Sequence, residues 1–109
     1  MARRTEARVV LVTCGSSAEG RKIANAVVKK RLAACVNMIS APVQSVYRWK
    51  GKVESAKEFL LIIKTTSQRV KELQREIAYL HSYDTPEFLA LVAEGSENYL
   101  AWLIHETRR

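Results

Sequence analysis

Two histidines and two cysteines are the side chains of this sequence that could bind a transition metal. Imidazole and thiolate are the usual protein ligands of copper and zinc, so a histidine and a cysteine brought together by the fold would form a candidate site. His81 ends a helical pattern and precedes a turn-like stretch that includes Pro86. There its ring either lines a cleft as a ligand or serves in capping and packing. His105 lies among charged residues and is expected to be solvated.

The two cysteines show no spacing typical of a metal or redox motif. Cys14 and Cys35 lie in apolar, strand-like stretches, and neither belongs to a CxxC pair. Buried free thiols are therefore the expected state of both. The sequence also lacks a P-loop, a nucleophile elbow, a GxGxxG segment and an HExxH motif. We expect a protein that is not an enzyme.

Two charged residues share one face of a predicted strand. Glu58 and Lys64 stand six residues apart, so both side chains point to the same side of the sheet. That side is otherwise apolar, with Leu60 and Ile62 between them. An ion among apolar side chains needs a partner or water. A salt bridge between subunits and a charged group lining a shared cavity both remain open.

The composition is that of a single folded domain over residues 1–109. Hydrophobic residues make up 48% of the chain, with only four glycines and two prolines, so no metal is required for folding. The net charge of +7 is spread along the chain, which allows nucleic-acid binding without requiring it. The basic segment 1–7 is expected to be frayed. Without a spanning segment or a signal-peptide pattern, a soluble cytoplasmic protein is expected.

The longest feature is a predicted hairpin over residues 35–66, whose two arms meet at Gly51, a residue that takes positive φ without strain. Pro42 breaks the first arm and predicts a bulge or an edge position. The second arm ends in five consecutive apolar residues, 59–63, which point to both faces of a sheet. This chain has enough helix to cover one face, so we expect oligomerisation.

The remaining patterns complete the order β-α-β-β-α-β with an added C-terminal helix. A strand over 8–14 is followed by a capping box at 16–19 and an amphipathic helix. A second helix is predicted over 70–80, a strand over 87–93, and a last helix capped by Ser96. This is the α+β, ferredoxin-like sandwich, with two helices on one face of a four-stranded antiparallel sheet.

The same pattern occurs in RNA-recognition modules, whose third strand carries aromatic stacking residues. Here that strand offers Phe59 with aliphatic residues only. Tyr47 and Trp49 lie near the hairpin tip, where packing across subunits is expected. Neither nucleic acid nor membrane is an expected partner.

Five ordered segments of the chain resemble one protein family. They are KRLAACVN (30–37), SVYRWKGKVE (45–54), IKTT (63–66), HSYDTPE (81–87) and YLAW (99–102). Together they are similar to the CutA divalent-cation tolerance proteins. The resemblance implies a homotrimer of ferredoxin-like subunits, related in architecture to the trimeric P-II signalling proteins, with long hairpins that wrap neighbouring subunits.

The resemblance also implies a site. Family members that bind Cu(II) use a cysteine near the end of the first strand and one or two histidines. His81 matches one such histidine, Cys14 lies near the cysteine, and Glu58 matches a polar residue of the family's inter-subunit cleft. The implied metal site is therefore His81 with Glu58 or Cys14. The residues implied around the inter-subunit cleft are Lys64, Tyr83, Tyr47 and Trp49.

The sequence is compatible with three functions. The leading hypothesis is a homotrimeric protein that binds or buffers divalent metal, copper first. The second is a P-II-like regulatory module that binds a small anionic metabolite or nucleotide in the cleft, favoured by Lys64 but opposed by the lack of a glycine-rich phosphate loop. The third is a scaffold for a protein partner that contacts the hairpin tip.

Overall fold

In the computed structural model, which describes residues 6–109, an antiparallel sheet carries three α-helices. The elements in chain order are β1 (Ala7–Cys14), α1 (Ser17–Lys29), β2 (Cys35–Met38), β3 (Val43–Trp49), β4 (Lys52–Thr66), α2 (Val70–Leu80), β5 (Leu89–Val92) and α3 (Glu97–Glu106). A short 3-10 helix, Ser67–Arg69, leads into α2. The predicted α+β class is confirmed.

The long strand β4 organises the sheet. Strands β2, β4, β1 and β5 are hydrogen-bonded in that order, and β3 pairs with the first half of β4. The predicted first arm is thus two strands, β2 and β3, separated by residues 39–42. Pro42 lies in this break, because proline has no N–H to donate to a strand ladder. The interruption also explains why five strands form where the sequence indicated four.

The hairpin turn has positive φ at both of its central residues. Lys50 and Gly51 have φ values of 51° and 82°, between the paired residues Trp49 and Lys52. A turn with two such residues matches the right-handed twist of the strands that it joins. The sequence identified Gly51, but the backbone also requires Lys50 to adopt the left-handed region.

The hydrophobic core lies between α1, α2 and one face of the sheet. Its members alternate along the strands and recur every three or four residues along the helices. They include Val10, Val12, Ile23, Val27, Leu61, Ile63, Leu73 and Ile77, all at most 1% exposed.

Side chains cap two of the helices at their first turns. Ser16 Oγ accepts a hydrogen bond from the Glu19 N–H, and Ser96 Oγ accepts one from the Tyr99 N–H.

The opposite face of the sheet is largely uncovered in the described chain. Val9, Leu11, Leu60 and Ile62 lie there half-buried. On β5, Leu89 and Leu91 are 58% and 49% exposed. Helix α3 packs at one end, where Leu100 and Leu103 cluster with Ala7. The half-buried and exposed side chains of β1, β4 and β5 thus form an apolar strip, the bare face.

Two boundaries differ from the expected ones. The predicted frayed segment 1–7 is corrected at its end, since Ala7 opens β1, is 4% exposed and accepts a hydrogen bond from the Ala93 N–H. Residues 1–5 lie outside the described residues. The strand predicted over 87–93 is the shorter β5. Within residues 6–109, no helix has the length and apolar character needed to cross a membrane.

Candidate functional site

A cavity of about 630 Å³ is bounded by the hairpin and by the segment that joins α2 to β5. Its walls include the rings of Tyr47 and Trp49 from β3, the carboxylate of Glu58 from β4, and residues 83–87. Thr13 contributes from the end of β1. The lining thus holds three acidic residues, and no lysine or arginine of residues 6–109 belongs to it.

The path of the segment 83–87 follows from the end of α2. The helix stops at Leu80, and His81 is already extended, with φ −80° and ψ 144°. Pro86 disfavours a helical conformation at the residue before it, so the chain cannot resume a helix at once. The segment instead runs beside the hairpin and presents Tyr83, Asp84 and Glu87 to the cavity.

Glu58 and Tyr83 form the polar centre of the cavity wall. The Tyr83 hydroxyl donates to Glu58 Oε2 at 2.8 Å, and Glu58 is only 8% exposed. Burial raises the pKa of the Tyr83 phenol, and the hydrogen bond and negative charge of Glu58 raise it further. Tyr83 is therefore a neutral donor to a carboxylate.

Glu87 shares this negative environment. Burial raises the pKa of the Glu87 carboxyl, and the nearby charge of Glu58 adds to the increase. None of the ion pairs found between residues 6 and 109 includes Glu58 or Glu87. Within the described chain, the cavity therefore holds two acids that have no basic side chain as a counter-charge.

His81 lies behind the cavity wall, and the main chain engages both of its ring nitrogens. The Tyr83 N–H donates to Nδ1 at 3.1 Å, so Nδ1 is unprotonated and Nε2 donates to the Thr13 carbonyl at 2.8 Å. The side chain is fully buried, and its ring centroid is 4.5 Å from that of Tyr83. In this arrangement His81 ties the segment to β1, and a metal could bind it only after one of these bonds breaks.

Glu19 also holds this segment in place through a hydrogen bond. The sequence predicted it only as part of a helix-capping box. Its Oε2 accepts the Ser82 N–H at 2.7 Å and lies 3.9 Å from His81 Nδ1. Burial alone would raise the pKa of Glu19, but the hydrogen bonds from Ser82 outweigh it and the pKa is lowered. No local signal could predict this contact, because it joins the first turn of α1 to a loop 63 residues later.

Cys14 lies next to the cavity but does not line it. Thr13 and Cys14 are consecutive strand residues and point to opposite faces, and Thr13 is the one at the cavity. Cys14 is fully buried, and its thiol lies 3.6 Å from the Ser16 carbonyl oxygen. Burial raises the pKa of Cys14 to about 11, with a further contribution from Glu19. The thiol is thus protonated at neutral pH.

The other expected residues divide into two groups. The cavity brings together Glu58, Tyr83, Tyr47 and Trp49, whereas Lys64 lies farther along β4, in register with Val9 and Cys35. Cys35 is half-buried, whereas the sequence predicted that it would be buried. Across the described residues, no cluster of three or more histidine, cysteine, aspartate or glutamate side chains is arranged to hold a metal ion. The metal role of His81, Glu58 and Cys14 stays a prediction.

The chain matches the sequence profile of one protein family over residues 8–106, nearly its whole length. That family is described as CutA1 divalent ion tolerance protein. This chain belongs to the CutA1 family. The resemblance drawn from the five sequence segments is therefore confirmed.

Individual CutA relatives support this membership. The chain is 46% identical over 101 residues to "Protein CutA, chloroplastic" of Arabidopsis thaliana, covering 92% of this chain and 55% of that protein. It is 45% identical over 100 residues to "Divalent-cation tolerance protein CutA" of Thermus thermophilus, covering 91% and 96%. A solved structure of the divalent cation tolerance protein (Cut A1) from Thermus thermophilus matches with a TM-score of 0.90 at 44% identity, covering 94% of this chain and 99% of that chain. The chain thus spans about half of the plant CutA and nearly all of the bacterial one.

Proposed function

We propose that this protein serves divalent-cation tolerance as a non-enzymatic, homotrimeric metal-binding protein. Membership of the CutA1 family carries the proposal, because relatives across most of the chain are named divalent-cation tolerance proteins. The proposed subunit is ferredoxin-like, consistent with the strand order β2-β4-β1-β5 and with α1 and α2 packed on one face. A P-II-like trimer would bury the bare face of each subunit against its neighbours.

The cavity supplies the negative charge that a divalent cation needs. A cation between Glu58 and Glu87 would offset the repulsion that contributes to the raised pKa of Glu87. We propose Cu(II) as the tightest-binding ion, since divalent first-row metals generally bind a given site most strongly at copper. An anionic metabolite is not favoured, because no lysine or arginine of the described chain lines this wall.

Glu58 is the one member of the expected ligand set whose side chain lines the cavity. His81 holds the loop through two main-chain hydrogen bonds, and Cys14 is a buried thiol with a pKa raised to about 11. Metal binding by either would require a rearrangement of this layer. We therefore propose Glu58 and Glu87 as the first ligands, with His81 positioning the loop that carries Glu87.

Calorimetric titration of the metal-free protein with Cu(II), Zn(II) and Mg(II), with mass measured by light scattering, tests this function. We expect a trimer and saturable Cu(II) binding that Glu58→Gln and Glu87→Gln each weaken by at least about tenfold. Glu54→Gln, an exposed acid of the same hairpin outside the cavity lining, is the control and should bind as the native protein does.

Two results would change the proposal. Loss of Cu(II) binding in His81→Ala or Cys14→Ser, with both glutamate variants unaffected, would move the site to the buried layer. Weak binding with no selectivity beyond the usual order of metals would reject a metal role. The proposed cytoplasmic location is checked by cell fractionation.

A further inference from the structure

Aromatic side chains form a second chemical component of the cavity, which metal binding does not require. Tyr47 and Trp49 are two residues apart on β3 and therefore share a face of the hairpin. They are 43% and 45% exposed, and both border the cavity with Tyr83. The faces of such rings carry negative potential and attract cations within about 6 Å. The Lys50 ammonium, 5.9 Å from the centroid of the Trp49 ring, already shows this interaction.

Within residues 6–109, the acidic side chains of the cavity form no ion pair with a lysine or arginine. Acidic side chains elsewhere in the chain do form such pairs. Lys30 pairs with Glu76 at 2.8 Å, and Arg69 pairs with Glu72 at 2.8 Å. The chain has 18 lysine and arginine residues against 11 acidic ones, so basic partners are abundant. The polar partner of Glu58 is instead the neutral Tyr83 hydroxyl. Acidic side chains with no basic partner in the described chain make this wall a candidate for an external cation.

We propose that this cavity binds a small organic cation, a protonated amine or a guanidinium, which pairs with Glu58 and Glu87 and packs against Tyr47 and Trp49. The volume of about 630 Å³ lies within the range of small-molecule sites. An organic cation would use both the carboxylates and the aromatic walls, whereas a bare divalent ion would leave the rings without a role. The inference goes beyond metal tolerance and does not rest on it.

Agmatine is a suitable probe because it carries a guanidinium at one end and an ammonium at the other. Binding would be measured by calorimetry at constant ionic strength, and by Trp49 fluorescence in a Trp102→Phe background. Trp102 lies on α3, outside the cavity lining, and is 42% exposed, so its replacement by another aromatic ring should be tolerated. We expect saturable binding and a change in Trp49 emission.

Variants separate the two components of the proposed site. Trp49→Ala should weaken agmatine binding by about tenfold, the upper part of the range for one desolvated cation–π contact. Glu87→Gln removes the charge of one carboxylate and should weaken binding by a similar factor. Glu54→Gln should bind as the native protein does, since this exposed acid does not line the cavity. Trp49→Phe, which keeps a ring at the same position, should bind more tightly than Trp49→Ala if the ring contacts the cation.

Three outcomes would overturn the proposal. The first is the absence of saturable agmatine binding by the native protein. The second is equal weakening by Glu54→Gln and Glu87→Gln, which would reduce the effect to overall charge. The third is loss of the oligomer in Glu87→Gln, which would assign the carboxylates to a basic side chain of a neighbouring subunit. A negative metal titration on the same samples would leave the proposal standing.

Discussion

At the scale of single residues, the hydrogen bond between Tyr83 and Glu58 has the clearest energetic consequence. Tyr83→Phe removes the only side-chain donor that the described residues provide for a carboxylate that is 8% exposed. We expect the free energy of unfolding to fall by roughly 1–3 kcal/mol, the usual cost of losing a hydrogen bond to a mostly buried charge. Urea denaturation at fixed protein concentration measures it. Tyr79→Phe is the matched control, because Tyr79 is 84% exposed, and an equal loss there would contradict the assignment.

Glu87 predicts a dependence of stability on pH with a definite sign. Its pKa in the folded protein is raised above the ordinary 4.5, so folding disfavours the charged carboxylate. The resulting penalty is present above the folded pKa and disappears as the pH falls below the unfolded value. Glu87→Gln should therefore raise the urea midpoint at pH 7, with the gain vanishing near pH 4. A gain that persisted at acidic pH, or that Glu54→Gln reproduced, would contradict this origin.

At the scale of secondary-structure elements, arginine side chains connect the ends of the helices through hydrogen bonds. The Arg69 side chain is only 7% exposed and donates from Nε to the Arg31 carbonyl at 3.2 Å, at the end of α1. Arg31 in turn donates from Nε to the Arg108 carbonyl at 2.9 Å and from Nη2 to the His105 carbonyl at 2.8 Å. Guanidinium groups at helix C-termini satisfy carbonyls that have no partner within the helix. These arginines therefore have structural roles.

Arg31 also has a positive φ of 59°, which allows backbone and side-chain effects to be separated. Arg31→Ala removes the hydrogen bonds to the His105 and Arg108 carbonyls and keeps the strained backbone conformation. Arg31→Gly removes the same bonds and relieves the strain. We expect the alanine variant to be less stable than the glycine variant by about 1 kcal/mol. Urea denaturation of both provides the comparison. An alanine variant as stable as the glycine variant would show that the backbone is not strained here.

At the scale of the whole molecule, the bare face predicts how subunits associate. Ile62 lies half-buried at the centre of this face, in register with Leu11 on β1 and Asn37 on β2. Ile62→Lys would place a charge in the proposed interface, where an unpaired ion is costly. Light scattering should then show a shift from trimer towards monomer, with circular dichroism confirming that the subunit is folded.

The control for this experiment lies on the same strand. Val53 is 65% exposed and, at odd spacing from Ile62, points to the opposite side of β4. Val53→Lys should leave the mass of the assembly unchanged. A trimer that survived Ile62→Lys would show that the subunits associate through another surface.

Structural features that depend on residues close together in the chain could be predicted from the sequence alone. Alternation with a period of two placed Val10, Leu61 and Ile63 on the core side of their strands, and a period of 3.6 did the same for α1 and α2. The turn at Gly51 and the cap at Ser16 also appear where the sequence indicated them. Each of these features rests on the conformational preferences of a few consecutive residues.

The chemistry of the cavity wall, in contrast, depends on contacts between residues that are far apart in the chain. The bonds from His81 to Thr13, from Ser82 to Glu19 and from Tyr83 to Glu58 join residues 68, 63 and 25 positions apart. A pattern along the chain predicts which face a side chain occupies, but not which distant backbone group will meet it there. For this reason the sequence could propose His81 as a ligand, while the folded chain engages both of its nitrogens and places Glu58 and Glu87 at the cavity.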